Sequence, residues 1–157
     1  NMPVEWVNWV TAQKFIKKLN AYSGKRFRLP TEAEWEFAAR GGNRSHNYLY
    51  SGSDNINEVA WWQDNSGGKL HPVGAKRPNE LGLYDMTGNA YEWCSDWQAP
   101  YQGSAQTNPK GPQSGRARIM RGGNWSSSES SSGVMTRSQY LPDIAACGGL
   151  RLVCDRL

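Results

Sequence analysis

Two stretches of the chain carry residue types that could do chemistry. Asp85 and Glu92 bracket a Gly88-Asn89 turn. A tight turn there would fold both carboxylates toward one point. The backbone carbonyls of Gly88 and Ala90 would then complete an all-oxygen shell, the preference of a hard cation such as Ca²⁺. The same acids would serve equally as turn caps or as partners for nearby arginines. The second stretch begins at Arg121-Gly-Gly-Asn-Trp125 and runs into six serines, Ser126 to Ser128 and Ser130 to Ser132, with no cysteine before Cys147. Serines this abundant give no context for a nucleophile, which needs a base held beside it. His46 and His71, the two histidines, sit in loops far apart in sequence. His71 belongs to a His-Pro-Val-Gly block and reads as structural. The glycines near Asn65–Gly68 lack the lysine and helix of a phosphate loop.

The elements that must position these residues are short. At 157 residues the chain is one domain with a single core. Mean hydropathy is −0.75 despite 38% hydrophobic residues, so much of the chain lies in polar loops. Eight tryptophans give short elements a large apolar surface to bury. No apolar run approaches the roughly 18 residues of a membrane span. Net charge is +4, but the basic residues are scattered (Lys14, Lys17, Lys18, then Arg116, Arg118, Arg121), and no nucleic-acid partner is expected. Cys94, Cys147 and Cys154 show no CxxC or zinc spacing. Cys94 and Cys154 read as small buried apolar residues, and Cys147 as a thiol in a surface loop.

Asn8 can cap a helix whose apolar positions are Ala12, Phe15, Ile16 and Leu19, with Gly24 as its stop. Thr31 and Glu34 form a capping box for a second helix carrying Ala33, Phe37, Ala38 and Ala39, closed by Gly41-Gly42. Residues 118–121 and 150–154 read as strands. Residues 98–117 read as a long surface loop, which in a compact domain is used for function or pinned by metal.

Seven blocks in order resemble the formylglycine-generating (sulfatase-modifying) enzyme family. They are Val7-Asn-Trp9; Arg28-Leu-Pro-Thr-Glu-Ala-Glu-Trp-Glu36 with Ala38-Ala-Arg-Gly-Gly42; His71-Pro-Val-Gly74; Pro78 to Met86; Gly88-Asn-Ala-Tyr-Glu-Trp93; Arg121-Gly-Gly-Asn-Trp125; and Gly149-Leu-Arg-Leu152. The resemblance implies an α+β, C-type-lectin-like fold over residues 1–157 with little regular structure, lacking the family's N-terminal strand region. It also implies a calcium held by side chains of Asp85 and Glu92 and carbonyls of Gly88 and Ala90. In the family's enzymes a copper-binding cysteine pair performs the oxidation. Its positions fall here at Ser127 and near Ser132, and a hydroxyl cannot replace a thiolate as a soft ligand for Cu(I).

Within that family the chain is similar to the variable proteins of diversity-generating retroelements. Those diversify a C-terminal stretch between an Arg-Gly-Gly-x-Trp motif and a Gly-Phe-Arg-like motif, here Gly149-Leu150-Arg151. The expected function is therefore binding of a protein or other macromolecular ligand, at an exported or cell-surface location. The expected contacts are Trp125, Ser126, Ser127, Ser130, Ser132, Tyr140, Asp143, Ala146 and Cys147. Two alternatives stand beside it: a metal-dependent enzyme of the wider family, and a docking module of a larger protein.

Overall fold

The computed structural model describes residues 1–146 and 148–155. Its helices are α1 (Trp9–Ser23), α2 (Glu32–Ala39) and the single turn α3 (Ile56–Val59). Its strands are β1 (Arg26–Arg28), β2 (Tyr91–Trp97), β3 (Arg118–Arg121), β4 (Arg137–Tyr140), β5 (Gly148–Gly149) and β6 (Val153–Asp155). Four strands form a sheet in the order β4-β3-β2-β5, with β5 parallel to β2 and the other pairs antiparallel. β1 and β6 form a separate antiparallel ribbon.

Period-two alternation explains the layering. On β2, Trp93 and Cys94 point to opposite faces, as do Ile119 and Met120 on β3. Cys94 and Ile119 pack with Trp35 and Ala39 of α2, while Trp93 and Met120 pack with Ile16 of α1 and Leu29. The two central strands are thus covered on both sides by helix; the sequence announced Arg118–Arg121 as a strand but not Tyr91–Trp97. A third cluster of Tyr50, Ile56, Val59, Ala60 and Trp62 closes the loop-rich side. Among the described residues, no helix is long and apolar enough to cross a membrane.

Both expected helices form where their caps place them. Asn8 accepts from the Thr11 amide at 2.7 Å, and Gly24 closes α1 in the left-handed region at φ 67°. Thr31 and Glu34 make the reciprocal capping box. Phe15 and Phe37 do not join the core: both are half exposed, each turned away from the buried neighbour, Ile16 or Trp35, that faces the sheet. The C-terminal strand starts later than expected, at Val153, because the ribbon pairs only three residues, Phe27 opposite Cys154. Cys154 is exposed there rather than buried, since only a two-stranded ribbon carries it.

Glu34 links the cap to the ribbon. Its carboxylate takes two hydrogen bonds from Arg28, which also reaches Asp155. The Arg28 guanidinium holds the Glu34 carboxyl at about 2, against an ordinary 4.5, despite partial burial. A depressed carboxyl stabilises the fold above its unfolded value, and that contribution is lost as pH falls through the folded one. Glu34→Ala should therefore cost about 1 kcal/mol at neutral pH, a cap's worth plus a screened ion pair. Chemical denaturation should show this deficit shrinking between pH 4.5 and about 2.

Candidate functional site

The serine segment is hung from a frame of buried backbone. At the Gly88-Asn89 turn, the Gly88 amide donates to the Gly122 carbonyl and the Asn89 amide to the Trp61 carbonyl, both at 2.7 Å. The Asn89 carbonyl accepts from Trp125 at 2.9 Å. A Cβ at Gly88 would lie 2.3 Å from the Trp61 oxygen, so only glycine allows this approach. Asn89 clamps both the amide and the carbonyl of His71, whose ring stacks on Trp61 at 3.7 Å. The His71 ring Nε2 also lies 2.7 Å from the Ser66 carbonyl, so the whole residue is packed into this frame.

The second anchor is Arg121, whose side chain is fully buried. One terminal nitrogen donates to Glu36 and to the Val134 carbonyl, and the other to the Thr136 carbonyl. Its Nε lies 3.4 Å from Glu32, an ion pair outside hydrogen-bond geometry. Glu32 also takes a bidentate pair from Arg137 at 2.7 Å. These acids sit on α2, so the arginines tie the far end of the serine segment to the helix. Neither Glu32 nor Arg137 stood out in the sequence. Their pairing spans 105 residues, which no local pattern reports.

Between the anchors, the expected contact residues divide. Ser126, Ser130, Tyr140 and Asp143 are exposed and Trp125 is half buried. Ser127 and Ser132 are buried, against the expectation that both meet a ligand. The Ser127 hydroxyl accepts from the Asn124 amide and bonds the Asn124 side chain, both at 2.9 Å. The Ser132 hydroxyl donates to the Ser128 carbonyl at 2.9 Å. Both abut Gly123: a Cβ there would meet Ser132 Oγ at 3.1 Å and Ser127 Cβ at 3.4 Å. Ala146 is also buried, packed with Trp93 and Met120 in the core. Cys147 lies outside the described residues. Tyr91, which the sequence did not single out, brings its hydroxyl within 3.3 Å of Ser127 and 3.5 Å of Ser138.

Asp85, Ala90 and Glu92 line one depression of about 500 Å³, together with Arg151. Glu92 is engaged there. Arg151 reaches both of its oxygens at 2.7–3.1 Å, and Trp35 Nε1 donates to Oε2 at 2.7 Å. Asp85 accepts from the Gly74 amide at 2.7 Å through one oxygen, while its Oδ1 is buried with no hydrogen-bond partner among the described residues. Burial pushes the Asp85 carboxyl up. The orphaned Asp85 oxygen suits a cation, whereas the guanidinium on Glu92 opposes one. Among the described residues, no three His, Cys, Asp or Glu side chains gather as a metal set.

The model of the sulfatase-modifying factor enzyme 1-like domain matches residues 1–156. The chain belongs to that family. A formylglycine-generating enzyme from Streptomyces coelicolor is 37% identical over 173 residues, covering 98% of the chain and 52% of the relative. A chaperone protein LppX from Paenibacillus barcinonensis is 43% identical over 119 residues, covering 65% and 39%. The chain therefore spans about half or less of these curated relatives. Among solved structures, Treponema denticola variable protein 1 superposes with a TM-score of 0.90 at 33% identity, over 96% of this chain and 70% of that one. The expected α+β fold of the family's C-type-lectin-like kind is the one found.

Burial separates frame from face in a way that stability reads directly. Ser132→Tyr should cost about 1–3 kcal/mol by overpacking. Ser126→Tyr and Ser130→Tyr should stay within about 0.5 kcal/mol of the parent in urea denaturation.

Proposed function

We propose that the chain is a ligand-binding protein whose contact surface is the exposed part of the segment after β3: Trp125, Ser126, Ser130, Tyr140 and Asp143. One observation supports this above the others. The likeness to a solved variable protein extends over nearly the whole chain at a TM-score of 0.90. The chemistry of the surface agrees. Trp125 and Tyr140 supply rigid aromatic area at small entropic cost, and the serines supply hydrogen bonds that adapt to different partners. The ligand is a protein or other macromolecule, met outside the cell or at its surface.

The second reading, a metal-dependent enzyme of the wider family, draws support from the formylglycine-generating relatives. Against it, Ser127 and Ser132 spend their hydroxyls inside the frame, and hard oxygen is a poor ligand for Cu(I).

Diversification should leave a record in the gene. Copies of this segment, including a template repeat beside a reverse transcriptase gene, should differ at the codons for Ser126, Ser130, Tyr140 and Asp143 but not at those for Arg121, Gly123 and Ser132. Sequencing the locus checks this, and differences spread equally over buried positions would reject the variable face.

Calcium completes the proposal, held by Asp85 and Glu92 with the carbonyls of Gly88 and Ala90, Glu92 being shared with Arg151. Calcium should raise the melting temperature above its value in chelator, and Asp85→Asn should abolish the difference. Identical melting of the parent in both conditions would remove the ion.

A further inference from the structure

A second cavity, of about 650 Å³, opens between α2 and the loop of residues 98–117, away from the serine runs. Its walls are largely apolar: Phe37, Trp97, Pro100, Tyr101, Pro109 and Met135. Phe37, Tyr101 and Met135 are more than half exposed. Volume and lining suit a small organic molecule.

The loop does not simply drape over this space. Tyr101 donates to Glu32 at 3.1 Å, its ring lies 4.0 Å from the Arg137 guanidinium, and Arg137 holds the Ala99 carbonyl at 2.9 Å. The wall is therefore pinned to the same buried charge network that supports the serine segment.

Three carboxylates face the cavity, and two are answered. Glu32 is paired with Arg137, and Glu36 with Arg121 and Arg40. Asp96 forms no ion pair among the described residues, although Lys110 lines the same cavity. Its Oδ2 accepts from the Glu32 amide and the Ser95 hydroxyl, and Oδ1 has no hydrogen bond among those formed by the described residues. Asp96 is only 5% exposed, and burial pushes its carboxyl up. Gly111 packs against Asp96, and a Cβ there would stand 3.3 Å from Oδ1. A buried carboxylate with no cation in direct contact, only the charges of Arg118 and Arg137 at longer range, is costly, and a cation on an apolar body would relieve it while covering Phe37, Trp97 and Met135.

We propose that this cavity is a binding site for a small organic ammonium carried on an apolar or aromatic body, with Asp96 as its counter-ion. The site is separate from the serine face and does not depend on what that face binds.

Calorimetric titration of the whole chain with benzylammonium chloride, and with benzyl alcohol as the neutral isostere, tests it. Benzylammonium should bind saturably and at least about tenfold tighter than the alcohol, the worth of a charge-assisted hydrogen bond. Asp96→Asn, which retains an acceptor for Glu32, should erase that preference. Met135→Lys, which sets a like charge on the exposed wall, should weaken the ammonium more than the alcohol. Failure of benzylammonium to bind, equal affinity for the two probes, or a preference that survives both substitutions would overturn the assignment.

Discussion

A guanidinium shut away from water must be surrounded by acceptors, and the whole C-terminal half of this protein is arranged around that demand. Arg121 meets it with Glu36 and two carbonyls, and with Glu32 as a longer ion pair. The acceptors come from two stretches, α2 and the backbone from Val134 to Thr136, so satisfying one side chain at the end of β3 ties three parts of the chain together. Breaking a buried pair from one side leaves an uncompensated charge, typically at a cost of about 3–5 kcal/mol. The geometry of the serine segment is therefore set from beneath. Its exposed side chains are free of that duty.

That separation is what a recognition surface needs. The Gly88-Asn89 turn fixes the near end of the segment, tying Trp61, Gly122 and Trp125 to one another through backbone atoms and His71 through the Asn89 side chain. Backbone contacts do not depend on the identity of neighbouring side chains. Ser126, Ser130, Tyr140 and Asp143 can therefore change with little consequence for folding. Ser127 and Ser132 belong to the other category: small, buried and pressed against Gly123, they are parts of the frame.

What was legible in the sequence was local or carried by motifs. Asn8, Gly24 and the Thr31–Glu34 box announce α1 and α2 because capping needs only neighbours within a few residues. The motif blocks announce the fold. Exposure within the serine runs was not legible, because six like residues carry no periodicity that separates a lid from its lining. The roles of Glu32, Arg137 and Asp96 were hidden for another reason. Each depends on a partner 64 or more residues away, and an isolated acid looks alike whether it caps a turn, binds an arginine or faces a cavity. The arginine alternative noted for Glu92 is the contact that forms with Arg151, a pairing across 59 residues.

We propose that the frame of a sulfatase-modifying domain carries structural hydroxyls here, at Ser127 and Ser132, where the family's enzymes carry redox sulfur. Competition between the protein and a bicinchoninate copper(I) complex tests it most directly. The account predicts that the chain removes no copper at equimolar concentration, while Ser127→Cys/Ser132→Cys removes a measurable share. Stoichiometric, tight copper(I) binding by the unaltered protein, lost when Ser127 and Ser132 are replaced by alanine, would contradict it.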